Sequence, residues 1–244
     1  MSDNEKSYYK SGFTIFGSDG KLKQIEYAKN SVSNSLPVLG IQTTQGVVLV
    51  SYNTSDSSDL LVSRSIDKIH KINRKFGLTA AGHMTDGKKL AEKLREKSVE
   101  EQQEYGSIDD TIVLIDEISE HMQETINSNE FRPYGVSLLI TGIDYDGDYK
   151  LYKVEPDGAT SEWLATAIGK NQEALNNHLE DKYVNDMSIR ESTELLIDTL
   201  VQHNKNIESD EVTVAKLTQD DGFVKMNSGE VDEIFNSVRG DKHE

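Results

Sequence analysis

A chain of 244 residues can fill one sizeable core, and its 35% apolar and 28% charged content describes a folded protein with a heavily solvated exterior. The formal charge of −17 argues against nucleic-acid binding, because a phosphate backbone selects positive clusters and the sequence carries none. With no cysteine, disulfides, thiolate catalysis and thiolate zinc sites are all excluded.

The opening MSDNEKSYYKSG has no apolar stretch of the signal-peptide kind, and no run approaches the ~18 apolar residues of a membrane span. The expectation is a soluble, cytoplasmic protein with no membrane partner. Residues 1–12 are polar and without periodicity, which predicts a mobile tail. From Ser18-Asp19-Gly20 the pattern changes: Asp19 can cap a helix over about 20–32 whose Leu22, Ile25, Ala28 and Val32 recur at three- and four-residue steps.

Pro37 introduces two apolar runs, Val38–Ile41 and Val47–Val50, which read as a hairpin around a four-residue polar turn, Thr43-Thr44-Gln45-Gly46. Apolar on both faces, they belong to a sheet covered on both sides. Strands at Lys68–Ile72 and Phe76–Ala80 are expected to extend the same sheet. Helices follow over Asp86 to about Tyr105 and Ser107 to about Asn127, the second capped by Ser107 and bearing a stripe of Ile108, Ile112, Ile115, Met122 and Ile126.

A second sheet is expected to begin at the doubly buried run Tyr134–Gly142, with strands at Tyr149–Val154 and Glu162–Ile168. Helices are predicted from Asn171 to Tyr183 and from Ser188 to about His203, where Ser188 and Glu191 form a capping box. A strand at Val212–Leu217 and a helix at Glu230–Ser237 complete the chain. The fold class is α+β: two sheets, each covered by a helix pair, form a four-layer α-β-β-α sandwich, because each sheet needs an apolar partner on both faces. No repeat or Pro/Ser-rich linker divides it, so residues 13–244 are expected to be a single domain behind the tail.

Catalytic and metal signatures are lacking. The sequence contains no G-x-S-x-G elbow, no H-E-x-x-H and no Walker glycine loop. Asp144-Tyr145-Asp146-Gly147-Asp148 has a faint calcium-loop look, but Tyr149 stands where glycine is needed, and a solvated hairpin turn is the expectation. No cofactor and no metal are expected.

Three stretches resemble one family, in order and in register: Thr14–Ala28 (TIFGSDGKLKQIEYA), Ser65–His83 (SIDKIHKINRKFGLTAAGH), and Arg132–Gly142 with Glu155–Gly169 (RPYGVSLLITG, EPDGATSEWLATAIG). They are similar to the α subunits of the proteasome core particle, of the archaeal type, and they span nearly the whole chain. The resemblance implies a sandwich of the N-terminal-nucleophile hydrolase type, in agreement with the patterning. It implies a heptameric α ring stacked on catalytic β subunits, a regulatory ATPase as activator, and unfolded proteins as substrates in transit. It also implies that the helix at Gly20–Val32 lies across the top of the sandwich, where a β subunit has its open cleft.

The rival class is a self-contained N-terminal-nucleophile hydrolase, whose terminal Thr, Ser or Cys attacks while its own amine acts as base. Counted back from Gly40, the β family's nucleophile position falls on Leu36, which has neither nucleophile nor free amine. Ser2 could become terminal after loss of Met1, but Asp3-Asn4-Glu5-Lys6 is no strand. A third reading is a diverged α-like paralogue serving as a scaffold outside the proteasome.

Three residues match the family's activator-tail pocket. Lys68 corresponds to a lysine that pairs with the C-terminal carboxylate of the ATPase, a task suited to a point-charge donor. Its neighbours Ile66, Ile69 and Ile72 are expected to pack inward, and the plain alternative is a surface lysine beside Asp67. Gly20 and Glu26 match positions beside that pocket; the alternatives are a helix-start glycine and a helix-face charge.

The gate departs from the family pattern. Tyr9 and Tyr27 are kept, but Lys10 and Ser11 replace an Asp-Arg pair and Ser18 replaces a proline. An ammonium in place of a carboxylate reverses the sign of any ion pair, and Ser18 frees a backbone that proline holds near one φ. The expectation is an open state poorly stabilised in a homomeric ring.

Overall fold

In the computed structural model, the described residues are 16, 20–53, 67–106, 110–128, 132–204 and 206–240. Strands β1 (Val38–Thr43) and β2 (Gly46–Tyr52) pair antiparallel in a register that sets Thr43 opposite Gly46. The turn is therefore the two-residue Thr44-Gln45, shorter than the expected four, because Thr43 and Gly46 already belong to the ladder.

Period-2 alternation along this hairpin sorts its side chains between two cores. Leu39, Ile41, Val48 and Val50 pack outward with helices α4 (Gln172–Lys182), α5 (Ile189–His203) and α6 (Ser228–Gly240). Val38, Val47 and Leu49 point inward, into a core shared with the second sheet. The first sheet runs β10-β9-β2-β1-β8, with β8 at Ala165–Ile168, β9 at Val212–Thr218 and β10 at Gly222–Lys225. The second runs β3-β4-β5-β6-β7: Ile69–Lys71, Phe76–Gly82, Val136–Ile143, Tyr149–Val154 and Thr160–Glu162. Its outer face is covered by α2 (Met84–Tyr105) and α3 (Thr111–Asn127) through Leu90, Leu94, Leu114, Ile115 and Ile118. The result is the four-layer α-β-β-α sandwich.

Two expected assignments are corrected. β3 and β4 do not extend the first sheet, because both hydrogen-bonding flanks of the β1–β2 hairpin are occupied, by β8 on β1 and β9 on β2. They open the second sheet, which thus begins well before Tyr134. The run Glu162–Ile168 is not one strand: Trp163 still donates its N–H to Leu151 in the second sheet, whereas the Leu164 carbonyl accepts from Gln42 in the first. The chain changes sheets between those two residues. Strand β10, only four residues long, has no counterpart among the expected strands.

Phe223 on β10 lies against Gly77 on β4, where any Cβ would come within 2.1 Å of the ring. This close approach is one reason the inner core can hold a phenylalanine that is 1% exposed. The helix borders also move. In α3 the buried stripe is Leu114, Ile115, Ile118 and Met122, while Ile112 is 41% exposed and Ile126 only half-buried. Ser107 and Ile108 lie outside the described residues. Asp144 supplies the cap instead, its Oδ1 accepting from the Thr111 N–H and hydroxyl at 2.7 and 2.6 Å. The Ser188–Glu191 capping box of α5 is present as expected, with Glu191 N–H donating to Ser188 Oγ and Ser188 N–H to Glu191 Oε2.

Candidate functional site

The amino-terminal helix α1 (Lys23–Ser33) starts three residues later than the expected 20 and is preceded by Leu22 in extended conformation, with no side-chain cap. Asp19 lies outside the described residues. Ile25, Ala28 and Val32 are buried as their spacing requires, and Val32 joins the core between the two sheets. Burying an aliphatic side chain of this kind contributes roughly 1.5–3 kcal/mol, so the helix is held down on the sandwich by its apolar stripe.

A second attachment is not visible in the sequence pattern. Lys29 pairs with Asp157 at 2.7 Å and Glu155 at 3.2 Å, and Lys153 holds Glu155 at 2.7 Å. Burial favours the neutral forms of Glu155 and Asp157, yet the lysines outweigh it and keep both carboxyls below their ordinary values. The turn they occupy is itself tied to α3, since Ser119 Oγ donates to the Gly158 carbonyl at 2.7 Å. Lys29 directly follows the family-like stretch Thr14–Ala28 and its partners stand in the EPDG stretch, but only the tertiary structure brings them together.

Leu36 follows α1 and leads into β1. Its carbonyl accepts from Lys68 Nζ at 3.3 Å, and the Tyr52 carbonyl accepts from the same nitrogen at 2.7 Å. Lys68 is half-buried and Ile69 and Ile72 pack inward as expected, while Ile66 lies outside the described residues. Asp67 does not serve Lys68. Its carboxylate pairs with Lys225 and accepts the Ile69 N–H. Burial, with no carboxylate among the described residues to offset it, lowers the Lys68 amine from 10.5 to about 8. A cation held by two backbone carbonyls retains its charge for an incoming anion.

Gly20 has a left-handed φ of +73° and open space where a Cβ would stand, so a side chain there is opposed by backbone conformation rather than by crowding. Glu26 pairs with Lys21 at 3.3 Å on the exposed face of α1, and Tyr27 is 70% exposed. Neither is hydrogen-bonded to Lys68. Glu26 stands ~10 Å along the helix axis from the Ser33 end that leads to Leu36. Tyr9, Lys10, Ser11 and Ser18 lie outside the described residues.

The RPYG motif acquires a partner that sequence spacing does not suggest. Arg132 grips Asp86 with two nitrogens at 2.7 Å each, and Gly135 N–H donates to Asp86 Oδ2 at 2.9 Å. In the acidic turn, Asp144 is engaged with Thr111, and Asp146 accepts the Asp148 N–H. Among the described residues no group of three or more His, Asp or Glu side chains is placed to hold a metal ion, and no helix is long and apolar enough to cross a membrane.

Two face-to-face antiparallel sheets, one clad in three helices and the other in two, with Leu36 just before β1, define an α+β sandwich of the N-terminal-nucleophile hydrolase type. A sequence model of the family described as Proteasome subunit matches residues 32–217. Proteasome subunit alpha 2 of Haloferax volcanii is 35% identical over 241 residues, covering 99% of this chain and 96% of that protein. Proteasome subunit alpha of Halobacterium salinarum is 33% identical over 223 residues, 91% of this chain and 87% of its own length. Proteasome subunit alpha 2 of Haloarcula marismortui is 32% identical over 235 residues, 96% of each. The chain belongs to the proteasome subunit family, and within it to the α subunits.

Proposed function

We propose that this chain is a non-catalytic α-ring subunit of a cytoplasmic proteasome core particle. It assembles with other α subunits and with β subunits, gates the passage of unfolded substrates, and docks a regulatory ATPase. The observation that carries this reading is the Lys68 cradle. The ammonium has two backbone carbonyls and no carboxylate among the described residues, beside Leu36, where a catalytic relative needs its nucleophile. Leu36 offers an aliphatic side chain and a peptide nitrogen, so attack and base catalysis both lack an atom. Glu26 and Gly20 border the docking pocket, and Tyr9, Lys10, Ser18 and Tyr27 form the gate.

The test is Lys68→Ala in particles reconstituted with α and β partners, with ring assembly followed by native mass spectrometry. The expected result is normal assembly with loss of ATPase-stimulated peptide hydrolysis; full stimulation in the variant sinks the docking role. The substitutions at Lys10, Ser11 and Ser18 favour a second reading, a diverged scaffold outside the proteasome. A chain that stays monomeric with every partner, at low and high salt, selects it.

A further inference from the structure

Two consecutive side chains leave the approach to β3 for different partners. Lys68 reaches the end of the β1–β2 hairpin, where the Tyr52 and Leu36 carbonyls accept from its Nζ. Asp67 reaches β10: one carboxylate oxygen pairs with Lys225, the last residue of that strand, and the other accepts the Ile69 N–H at 2.8 Å. β3 is an edge of the second sheet, whereas β1, β2 and β10 belong to the first. Both side chains therefore cross from one sheet to the other, and they do so from adjacent residues.

A lysine carries its charge on a flexible four-carbon stem, so two carbonyls at the tip do not by themselves decide where the ammonium stands. That depends on how the backbone at the other end is held. On one side Ile69, 1% exposed, is fixed in the core between the sheets. On the other side Asp67, its side chain 14% exposed, closes a short turn over Lys68 through the Ile69 N–H, and Lys225 ties that turn to β10. The strand is a firm anchor. It pairs with β9 from Gly222 to Lys225, and the Phe223 N–H donates to the Arg74 carbonyl at 2.7 Å.

We propose that Asp67 and Lys225 are the positioning pair of the activator pocket, holding the backbone that carries Lys68 where its ammonium meets the activator's carboxylate; the assignment to the pocket rests on the docking role proposed for Lys68. Neither residue touches the activator. Lys225→Met keeps an apolar stem of similar length and removes the cation. Asp67 then retains the Ile69 N–H alone, and a largely buried carboxylate without its cation is drawn towards water, taking the neighbouring Lys68 backbone with it. Lys225→Arg keeps the charge and therefore the tie.

The experiment titrates the regulatory ATPase into particles reconstituted from the full-length chain with its α and β partners. It reads the half-saturating ATPase concentration and the maximal stimulated hydrolysis separately, and follows amide hydrogen exchange in the peptide that carries Ile69. Lys225→Met should raise the half-saturating concentration about two- to fivefold, the range open to a partly exposed ion pair, with the maximal rate kept. The Ile69 amide should exchange faster, and Lys225→Arg should restore both. An unchanged half-saturating concentration in Lys225→Met overturns the positioning role, and so does a rise that Lys225→Arg shares in full or that comes with unaltered Ile69 exchange. Loss of rings or of maximal rate at an unchanged half-saturating concentration assigns the pair to stability alone and overturns it likewise. Lys68→Ala, run alongside, judges docking itself. A Lys68→Ala without stimulation beside an unaffected Lys225→Met removes only the positioning pair. A fully stimulated Lys68→Ala removes the docking role, and the pocket role of the pair with it, even where Ile69 exchange shows the tie to β10.

Discussion

Arg132 reaches both carboxylate oxygens of Asp86 at 2.7 Å, a two-point contact between the segment before β5 and the first turn of α2. The Asp86 side chain is 4% exposed, and burial alone would push its carboxyl up. The Arg132 guanidinium and the Gly135 N–H outweigh burial and hold it below the ordinary aspartate value. Arg132→Ala leaves a buried carboxylate on a single N–H and should cost about 2–3 kcal/mol in urea unfolding at neutral pH. A carboxyl lowered by folding supplies stability above its unfolded pKa and loses it as the pH falls. The gap between parent and variant should therefore close below about pH 4. A gap of unchanged size in acid would assign the effect to packing of the arginine.

Lys29 makes the contact that fixes α1 laterally. Its partners are about one-third exposed, so Lys29→Met should cost only about 0.5–1 kcal/mol of global stability. The local effect should be larger: hydrogen exchange of the α1 amides should speed up relative to those of β1, because the apolar stripe alone leaves the exposed face untethered. Unaltered exchange in α1 would show that Ile25, Ala28 and Val32 suffice.

Gly77 and Phe223 join the sheets. A methyl group at Gly77 meets the Phe223 ring, so Gly77→Ala should destabilise by about 1–3 kcal/mol. Phe223→Leu makes room, and the double variant should be more stable than the sum of the two losses predicts, a coupling typical of residues in contact. Simple additivity in thermal unfolding would contradict this packing.

His70 has its imidazole lowered from 6.5 to about 4, first by burial, with Asp67 opposing and Arg95, Lys225 and Lys88 adding to the effect. Protonation is thus easier in the unfolded chain. The stability His70 supplies is complete above about pH 6.5 and lost as the pH falls towards about 4, at most roughly 2 kcal/mol after discounting its partial exposure. His70→Gln should flatten the stability profile across that window; parallel profiles would place the titration elsewhere.

Much of this architecture is legible in local patterning. The alternation in VVLV places Val47 and Leu49 on one face and Val48 and Val50 on the other, and the step pattern of Ile25, Ala28 and Val32 marks the buried side of α1. The Ser188–Glu191 box is local as well, its two bonds spanning three residues. Lys68 is legible as a candidate from its motif. Its two carbonyl partners are not, since Leu36 and Tyr52 lie 32 and 16 residues away.

Hydrophobic period and capping chemistry act within a few residues, so the chain's own order determined most of the helices and strands and, for most of them, which side is apolar, β10 and the Ile112 face of α3 being exceptions. They say nothing of which edge a strand joins. That β3 and β4 found a second sheet, that the chain crosses sheets between Trp163 and Leu164, that Asp144 caps a helix begun at Thr111, and that Arg132 meets Asp86 were all decided by tertiary packing. Each depends on which hydrogen-bonding flank, helix end or buried charge remains unsatisfied once the rest of the chain has closed around it.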